Sequence, residues 1–356
     1  MTTSAMTRNY SLAGPENRLA QEKGLASASW YACPIPRARL KELMRRKDSP
    51  ALGHILLWFT LILGSGALAC LTWGTWWCAP ALLVYGTLYG STSDSRWHEC
   101  GHGTAFKTSW MNEVVYHIAA FMILREPTPW RWSHARHHSD TIIVGRDPEI
   151  AVPRPPNLVV LCLQFFSLVS GPRELRKIAR HCFGSLRPEE RDYIPASEHS
   201  KVFWAARIYA LIFLAAIGSS IAWRTFLPVM LVGLPSFYGA WLMQVFGLTQ
   251  HAGLAEDVLD HRLNCRTVHL NPVFRYLYFN MNYHVEHHMF PLVPYHALPA
   301  LHAELKNDMP PAYHGLWAAY REIIPALLRQ AKDPTYYVSR PLPRFTGSPT
   351  LAGGPA

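Results

Sequence analysis

ILLWFTLILGSGALACLTWGTWWCAPALLVYGTLYG, residues Ile55–Gly90, contains no Asp, Glu, Lys or Arg, and the charge-free run around it extends from Asp48 to Asp94. A helix needs about 20 apolar residues to cross a bilayer. The stretch therefore predicts two crossings, at about residues 51–72 and 76–94, joined by a turn at TWGTWW (Thr72–Trp77). Tryptophan favours the headgroup level there, and glycine loosens the helix. A second run, Ile208 to Ala255, is interrupted only by Arg224, with Pro228 close behind. It predicts a second hairpin, at about 203–223 and 227–249.

Two shorter apolar stretches bear on parity. Val114–Leu124 is too short to cross and Asn157–Ser170 is marginal, so both read as buried, re-entrant or interfacial helices. Four crossings then place both termini and the long middle segment on one side. The basic residues agree: Arg37, Arg39, Lys41, Arg45, Arg46 and Lys47 precede the first crossing, and the middle segment carries Arg125, Arg131, Arg136, Arg146, Arg154, Arg173, Arg176, Lys177 and Arg180. The expected fold is an all-α integral membrane protein, four helices in two hairpins with a cytosolic helical cap.

Of the 356 residues 49% are hydrophobic and only 16% charged, which excludes a disordered chain. The net charge of +10 would suit nucleic acid, but its placement outside the apolar blocks reads as topogenic and lipid-facing. The seven cysteines form no CxxC pair, so neither a disulfide framework nor iron–sulfur ligation is suggested. The expected organisation is a flexible cytosolic segment (1–50), a membrane domain (51–310), and a C-terminal part (311–356). That last part comprises a surface helix, GLWAAYREIIPALLRQ (Gly315–Gln330), and a loose tail from about Pro341.

Eighteen histidines are an unusual number, and eight of them cluster: His98 and His102 in WHECGHGT, His134, His137 and His138 in WSHARHHSD, and His284, His287 and His288 in NYHVEHHMF. On a helix, positions i, i+3 and i+4 span about 100° of one face, so each HxxHH triplet can aim three imidazoles at one point. Independent placement would yield about 0.05 HxxHH matches in a chain of this length and composition, so two are not accidental. With four crossings, all three clusters fall on the same side. Eight neutral imidazoles exceed the needs of one tetrahedral zinc and suit two adjacent metal ions with open positions. Imidazole alone does not choose among iron, copper, zinc and nickel. His54 and His117 read as buried packing, and His181, His199, His261, His269, His296, His302 and His314 lack ligand spacing.

HxxxH, HxxHH and a final HxxHH around four crossings make the chain resemble the membrane fatty acid desaturase and hydroxylase superfamily. The resemblance covers roughly residues 50–310, including NMNYHVEHHMFPLVPYHALPALH and the DPE at Asp147, Pro148 and Glu149. Within it, TQHAGL (Thr249–Leu254) and RTVHLNPVFRYLYFNMNYHVEHH look similar to MocD-like rhizopine-catabolism and hydrocarbon oxygenases. The resemblance implies two non-haem iron ions held by the eight clustered histidines, with His251 as a further ligand or a hydrogen-bonding neighbour of one. It also implies dioxygen as co-substrate and oxidation of an unactivated C–H bond. Hydroxylation or oxidative demethylation is the first expectation and acyl-lipid desaturation or hydroxylation the alternative, on a small-molecule or acyl substrate. Glu99, Asp140, Asp147, Asn282 and Glu286 are candidates to orient ligand rings; Trp97, Trp130 and Trp132 either anchor the interface or line the substrate cavity.

No haem, cluster or dinucleotide motif is legible, so electrons are expected from a separate ferredoxin, Rieske-type by the finer resemblance, and its reductase. The resemblance places the protein in a bacterial inner membrane with the histidines cytosolic. Two other classes compete. HECGH fits HExxH, the zinc-protease pattern with Glu99 as base, but leaves both triplets unexplained. A metal transporter would place ionisable groups along the crossings, whereas these lie beyond their ends.

Overall fold

A computed structural model describes residues 8–343. They form α1 (Pro15–Glu22), α2 (Arg37–Leu43), α3 (Asp48–Leu71), α4 (Cys78–Gly86), α5 (Thr92–Gly101), α6 (Ser109–Met122), α7 (Pro127–Ser139), α8 (Leu158–Gln164), α9 (Ser170–Cys182) and α10 (Pro188–Tyr193). There follow α11 (His199–Ala222), α12 (Leu227–Leu231), α13 (Pro235–Tyr238), α14 (Trp241–His251), α15 (His261–Asn264), α16 (Pro272–Leu277), α17 (His284–Met289), α18 (Leu298–Leu305) and α19 (Gly315–Gln330). A short parallel pair, β1 (Val268–His269) with β2 (Tyr313–His314), ties the chain ahead of α16 to the start of α19.

The long helices are apolar on both faces, as lipid requires. In α3, Ala51, Ile55, Trp58, Ile62, Gly66 and Ala69 are buried at three- and four-residue spacing, while Leu56, Leu57, Leu63, Leu68 and Leu71 are exposed. In α11, Val202, Ala206 and Tyr209 face inward, and Trp204, Leu211, Leu214 and Ile221 face outward. Trp76 and Trp77 lie exposed in the expected turn. Among the described residues, three helical stretches are long and apolar enough to cross a membrane, Arg37–Leu71, Ala196–Ala222 and Leu227–His251, where four were expected. The region of the remaining one, 76–94, is helical without a break from Cys78 to Gly101, with a π turn at Thr87–Ser91 joining α4 to α5. Its second half, STSDSR, is polar, which takes it below that hydrophobicity.

Close backbone approach fixes how this helix meets the stretch that follows α12. Gly86 and Gly90 stand one turn apart, facing Pro235 and Gly239. A Cβ on Gly239 would lie 1.8 Å from the Gly86 carbonyl oxygen, and one on Gly90 2.3 Å from that of Pro235. Ser91 Oγ donates to the Gly239 carbonyl at 2.5 Å and accepts from the Met243 N–H at 2.9 Å. Lipid provides no hydrophobic drive between helices, so small residues that let backbones touch are what join them. The crossing sets the start of α5 beside the start of α14.

The N-terminal segment, expected to be flexible, is packed from residue 8 onward. Arg8 pairs with Glu16, Glu256 and Asp257, Tyr10 donates to Glu256 at 2.8 Å, and the Tyr31 N–H donates to the Leu259 carbonyl at 2.9 Å. Leu12, Ala20, Cys33 and Leu43 are buried. Its small and polar composition concealed these specific pairings. Helix α19 packs Ala319, Ile323 and Leu327 against the neighbourhood of Leu248 and leaves Trp317, Ile324 and Leu328 exposed. The tail expected from about Pro341 lies almost wholly outside the described residues.

Gly239→Ala should destabilise the protein by about 1–3 kcal/mol, the cost of overpacking a filled contact. Thermal denaturation in detergent checks this, with Gly218→Ala, which meets nothing within 4 Å, unchanged.

Candidate metal centre

Four helices deliver nine imidazoles to one place. The end of α5 presents His98 and His102, α7 presents His134, His137 and His138, α14 ends on His251, and α17 carries His284, His287 and His288. His98, His102, His134, His138 and His287 bring their ring nitrogens within 4.8 Å of one another, as do His137, His251 and His288. The Nε2 atoms of His98 and His287 are 2.8 Å apart, of His98 and His134 2.9 Å, and of His138 and His287 3.2 Å. His284 Nε2 lies 3.0 Å from that of His251 and 3.1 Å from that of His288, completing the second group.

The hydrogen bonds at Nδ1 bear on which ring nitrogens are free to bind an ion. His134 Nδ1 lies 2.9 Å from Glu149 Oε2, His137 Nδ1 2.8 Å from Asp147 Oδ2, and His251 Nδ1 2.8 Å from the Asn264 carbonyl. An acceptor at Nδ1 places the proton there, leaving Nε2 as a bare lone pair. Burial first, and then crowding by neighbouring imidazoles, pushes His98, His102, His138, His284, His287 and His288 well below the ordinary histidine range. His137 is raised: burial works against this, but Asp147 outweighs it. Glu149 is held down to about 2 despite its burial, chiefly by His134. Neutral rings with converging lone pairs repel unless a cation lies between them. Two nitrogens each about 2.1 Å from a common ion, at right angles, stand about 3.0 Å apart, the separation found here. The donor set therefore fits two metal ions, and all-nitrogen donors fit iron.

The expected orienting residues divide. Asp147 touches a box imidazole. Glu99 instead accepts from the Tyr295 N–H at 2.9 Å, and burial pushes its carboxyl up to about 7. Asp140 pairs with Arg146, Asn282 Nδ2 donates to the Val268 carbonyl at 2.8 Å, and Glu286 bonds His302 and Thr267. Glu149 was the orienting residue that spacing alone did not single out; its signal was the DPE segment, whose two carboxylates reach two different histidines. Glu99, turned away from the imidazoles, is poorly placed as the base of a zinc protease.

A cavity of about 830 Å³ reaches His98, His134, His137, His251 and His284. Trp97 lies edge-on to His98 and His134, and Trp130 edge-on to Trp97, both lining the cavity. Trp132 is 37% exposed and lines neither this cavity nor a smaller one of about 100 Å³ beside His102. The larger cavity is not uniformly apolar: Asp94, Arg125, Arg154, Arg173 and Lys177 line it, with Arg125 paired to Asp94 and stacked over Trp97 and Trp130 at 4.6 and 4.3 Å.

The family model for fatty acid desaturases matches residues 71–320, most of the chain and all nine of these histidines. The chain belongs to the fatty acid desaturase family. It is 25% identical to an omega-6 fatty acid desaturase, endoplasmic reticulum isozyme 1, of Glycine max, over 68% of this chain and 71% of that protein. It is 27% identical to a Delta(9) fatty acid conjugase-like enzyme of Dimorphotheca sinuata, over 79% of this chain and 80% of that one. An acyl-lipid omega-3 desaturase (cytochrome b5), endoplasmic reticulum, of Arabidopsis thaliana is 24% identical over 70% and 66%. This desaturase-family member is thus an oxidoreductase, with histidine clusters consistent with a metal site.

Asp147→Asn and Glu149→Gln should each weaken metal binding about tenfold to a hundredfold by loosening the Nδ1 proton and the ring orientation. Chelator competition against the reconstituted protein measures this; Asp140→Asn, which touches no imidazole, should leave it unchanged.

Proposed function

We propose that the protein is an oxygen-dependent membrane oxidoreductase with a two-iron centre that oxidises an unactivated C–H bond of a substrate held in the 830 Å³ cavity. The observation that carries this reading is the convergence of two groups of imidazole Nε2 atoms in one site open to that cavity, with Nδ1 of His134, His137 and His251 each facing an acceptor. His98, His102, His134, His138 and His287 would hold one ion, and His137, His251, His284 and His288 the other. Bound iron supplies one-electron chemistry with dioxygen that no side chain possesses. The chain's own residues do the rest. Asp147, Glu149 and the Asn264 carbonyl hold protons on Nδ1 and so keep Nε2 free to bind. Trp97 and Trp130 form the apolar wall beside His98 and His134 that limits water at the reacting carbon.

The volume of the cavity and the names of the relatives favour an acyl chain, desaturated or hydroxylated. The charged wall of Asp94, Arg125, Arg173 and Lys177 favours a second reading, a MocD-like monooxygenase that hydroxylates or demethylates a smaller polar compound. The two differ in whether bound substrate presents a second C–H bond or an O- or N-methyl group. We place the histidines on the cytosolic side of a bacterial inner membrane and count the first part of the continuous helix Cys78–Gly101, to about residue 94, as a fourth crossing, within a membrane domain of residues 51–310. Electrons would come from a separate ferredoxin, although one relative's name cites cytochrome b5. Around the second box, Arg131, Arg136 and Arg146 are each paired with a carboxylate, so the basic charge there is partly neutralised.

Anaerobic loading should give two irons per chain. Exposure to labelled dioxygen and a reductant, followed by mass spectrometry of acyl lipids and of O- and N-methyl compounds, should reveal dehydrogenation, label incorporation or formaldehyde. His287→Ala should remove iron and oxidation while the protein stays in the membrane. One zinc per chain, or turnover without oxygen, would refute the proposal.

A further inference from the structure

Among residues that do not line the cavity, an aromatic contact links the protein surface to a box histidine. The Trp30 ring, partly exposed, lies flat on His261, with centroids 4.2 Å apart and planes 3° apart. His261 is 2% exposed, and its ring centroid is 5.2 Å from that of His288. Trp30 Nε1 also donates to the Ser139 carbonyl at 3.0 Å, and Ser139 follows His138 in the chain. One indole therefore connects to both histidine groups: to His138 through a single hydrogen bond and the backbone, and to His288 through a stacked imidazole. Neither Trp30, His261 nor His288 lines the cavity. His261 has no ligand spacing in sequence, yet it is buried against a box imidazole with Cys265 alongside.

We propose that Trp30, stacked on His261, is the point at which a one-electron carrier protein docks and passes electrons to the metal centre. The inference rests on the two-iron reading. Each step takes one electron from the reduced carrier, an iron–sulfur protein, and reduces one ferric ion to ferrous; two steps arm the site. Tunnelling falls off exponentially with distance and is faster through bonded and stacked groups than through gaps. The end of the centre at His287 and His288 is buried, with His287 fully so and His288 only 3% exposed, whereas His102, His138 and His251 are partly exposed. A carrier confined to the surface therefore gains most where a conjugated ring bridges the remaining distance. Delivery on this face also leaves the substrate cavity uncovered while the carrier is bound.

The test uses the full-length, iron-loaded protein in detergent. A ruthenium photoreductant is attached to Ser29→Cys after Cys70, Cys162 and Cys182 are changed to Ser, and loss of ferric absorbance is followed after a flash. Trp30→Leu and His261→Leu should slow reduction by an order of magnitude or more, while Trp30→Phe and His261→Phe, which keep a ring, retain most of the rate. Iron content and complete reduction by dithionite should be unchanged in all four. Reduced [2Fe–2S] ferredoxin, mixed rapidly with the same variants, should show the same dependence on Trp30. An unchanged rate in Trp30→Leu would overturn the path, and dependence in the flash arm alone would overturn docking at this face. Loss of an iron in His261→Leu and His261→Phe would make His261 a ligand and overturn its role as a bridge. A wild-type chain that binds no redox-active iron would instead sink the two-iron reading, and this proposal with it.

Discussion

Mutual repulsion between imidazole lone pairs is the constraint around which this molecule is organised. Nine rings, seven of them driven well below the ordinary histidine range by burial and crowding, converge on one site, with the Nε2 atoms of neighbouring rings about 3 Å apart. Without a cation such an arrangement is unfavourable, because buried polar atoms then face atoms of their own kind. The scaffold must hold the rings in place against that repulsion. It does so by hydrogen-bonding Nδ1 of His134, His137 and His251 and by setting the rings on helices anchored elsewhere.

The anchoring is itself a consequence of the membrane. In lipid, helices associate through close packing and not through hydrophobic drive. The glycine contacts of Gly86 and Gly90 with Pro235 and Gly239, together with Ser91, join the chain at the N-terminal starts of α5 and α14, the two helices that carry His98 and His251 further along. The N-terminal segment then packs onto the centre: Tyr10 and Leu12 line the cavity, whereas Trp30 and Tyr31 pack against residues that the cavity does not reach.

Much of the site was legible because helical spacing is a local rule. HxxxH and HxxHH place their imidazoles on one helix face whatever surrounds them, so the eight box histidines could be identified without a fold. The orienting partners were less legible. Asp147 and Glu149 reach His137 and His134 from an irregular segment, whereas Glu99, Asp140, Asn282 and Glu286, equally close in sequence to the boxes, turn to Tyr295, Arg146, Val268 and His302. Sequence proximity does not decide which way a side chain turns when helix and loop geometry differ. The packed N-terminal segment escaped for a related reason: its contacts with Glu256, Asp257 and Leu259 join residues more than two hundred positions apart.

By itself, the sequence determined that the chain is helical with stretches long and apolar enough to cross a membrane, and which eight histidines share helix faces. Those facts rest on hydrophobic run length and on the 3.6-residue helical period, both local properties. Only the tertiary structure decided that His251 and His284 join one group, that Glu149 orients His134, that the cavity wall is charged, and that Trp30 lies on His261. Each of these depends on segments distant in the chain meeting at short range, and side-chain packing, not periodicity, selects such meetings.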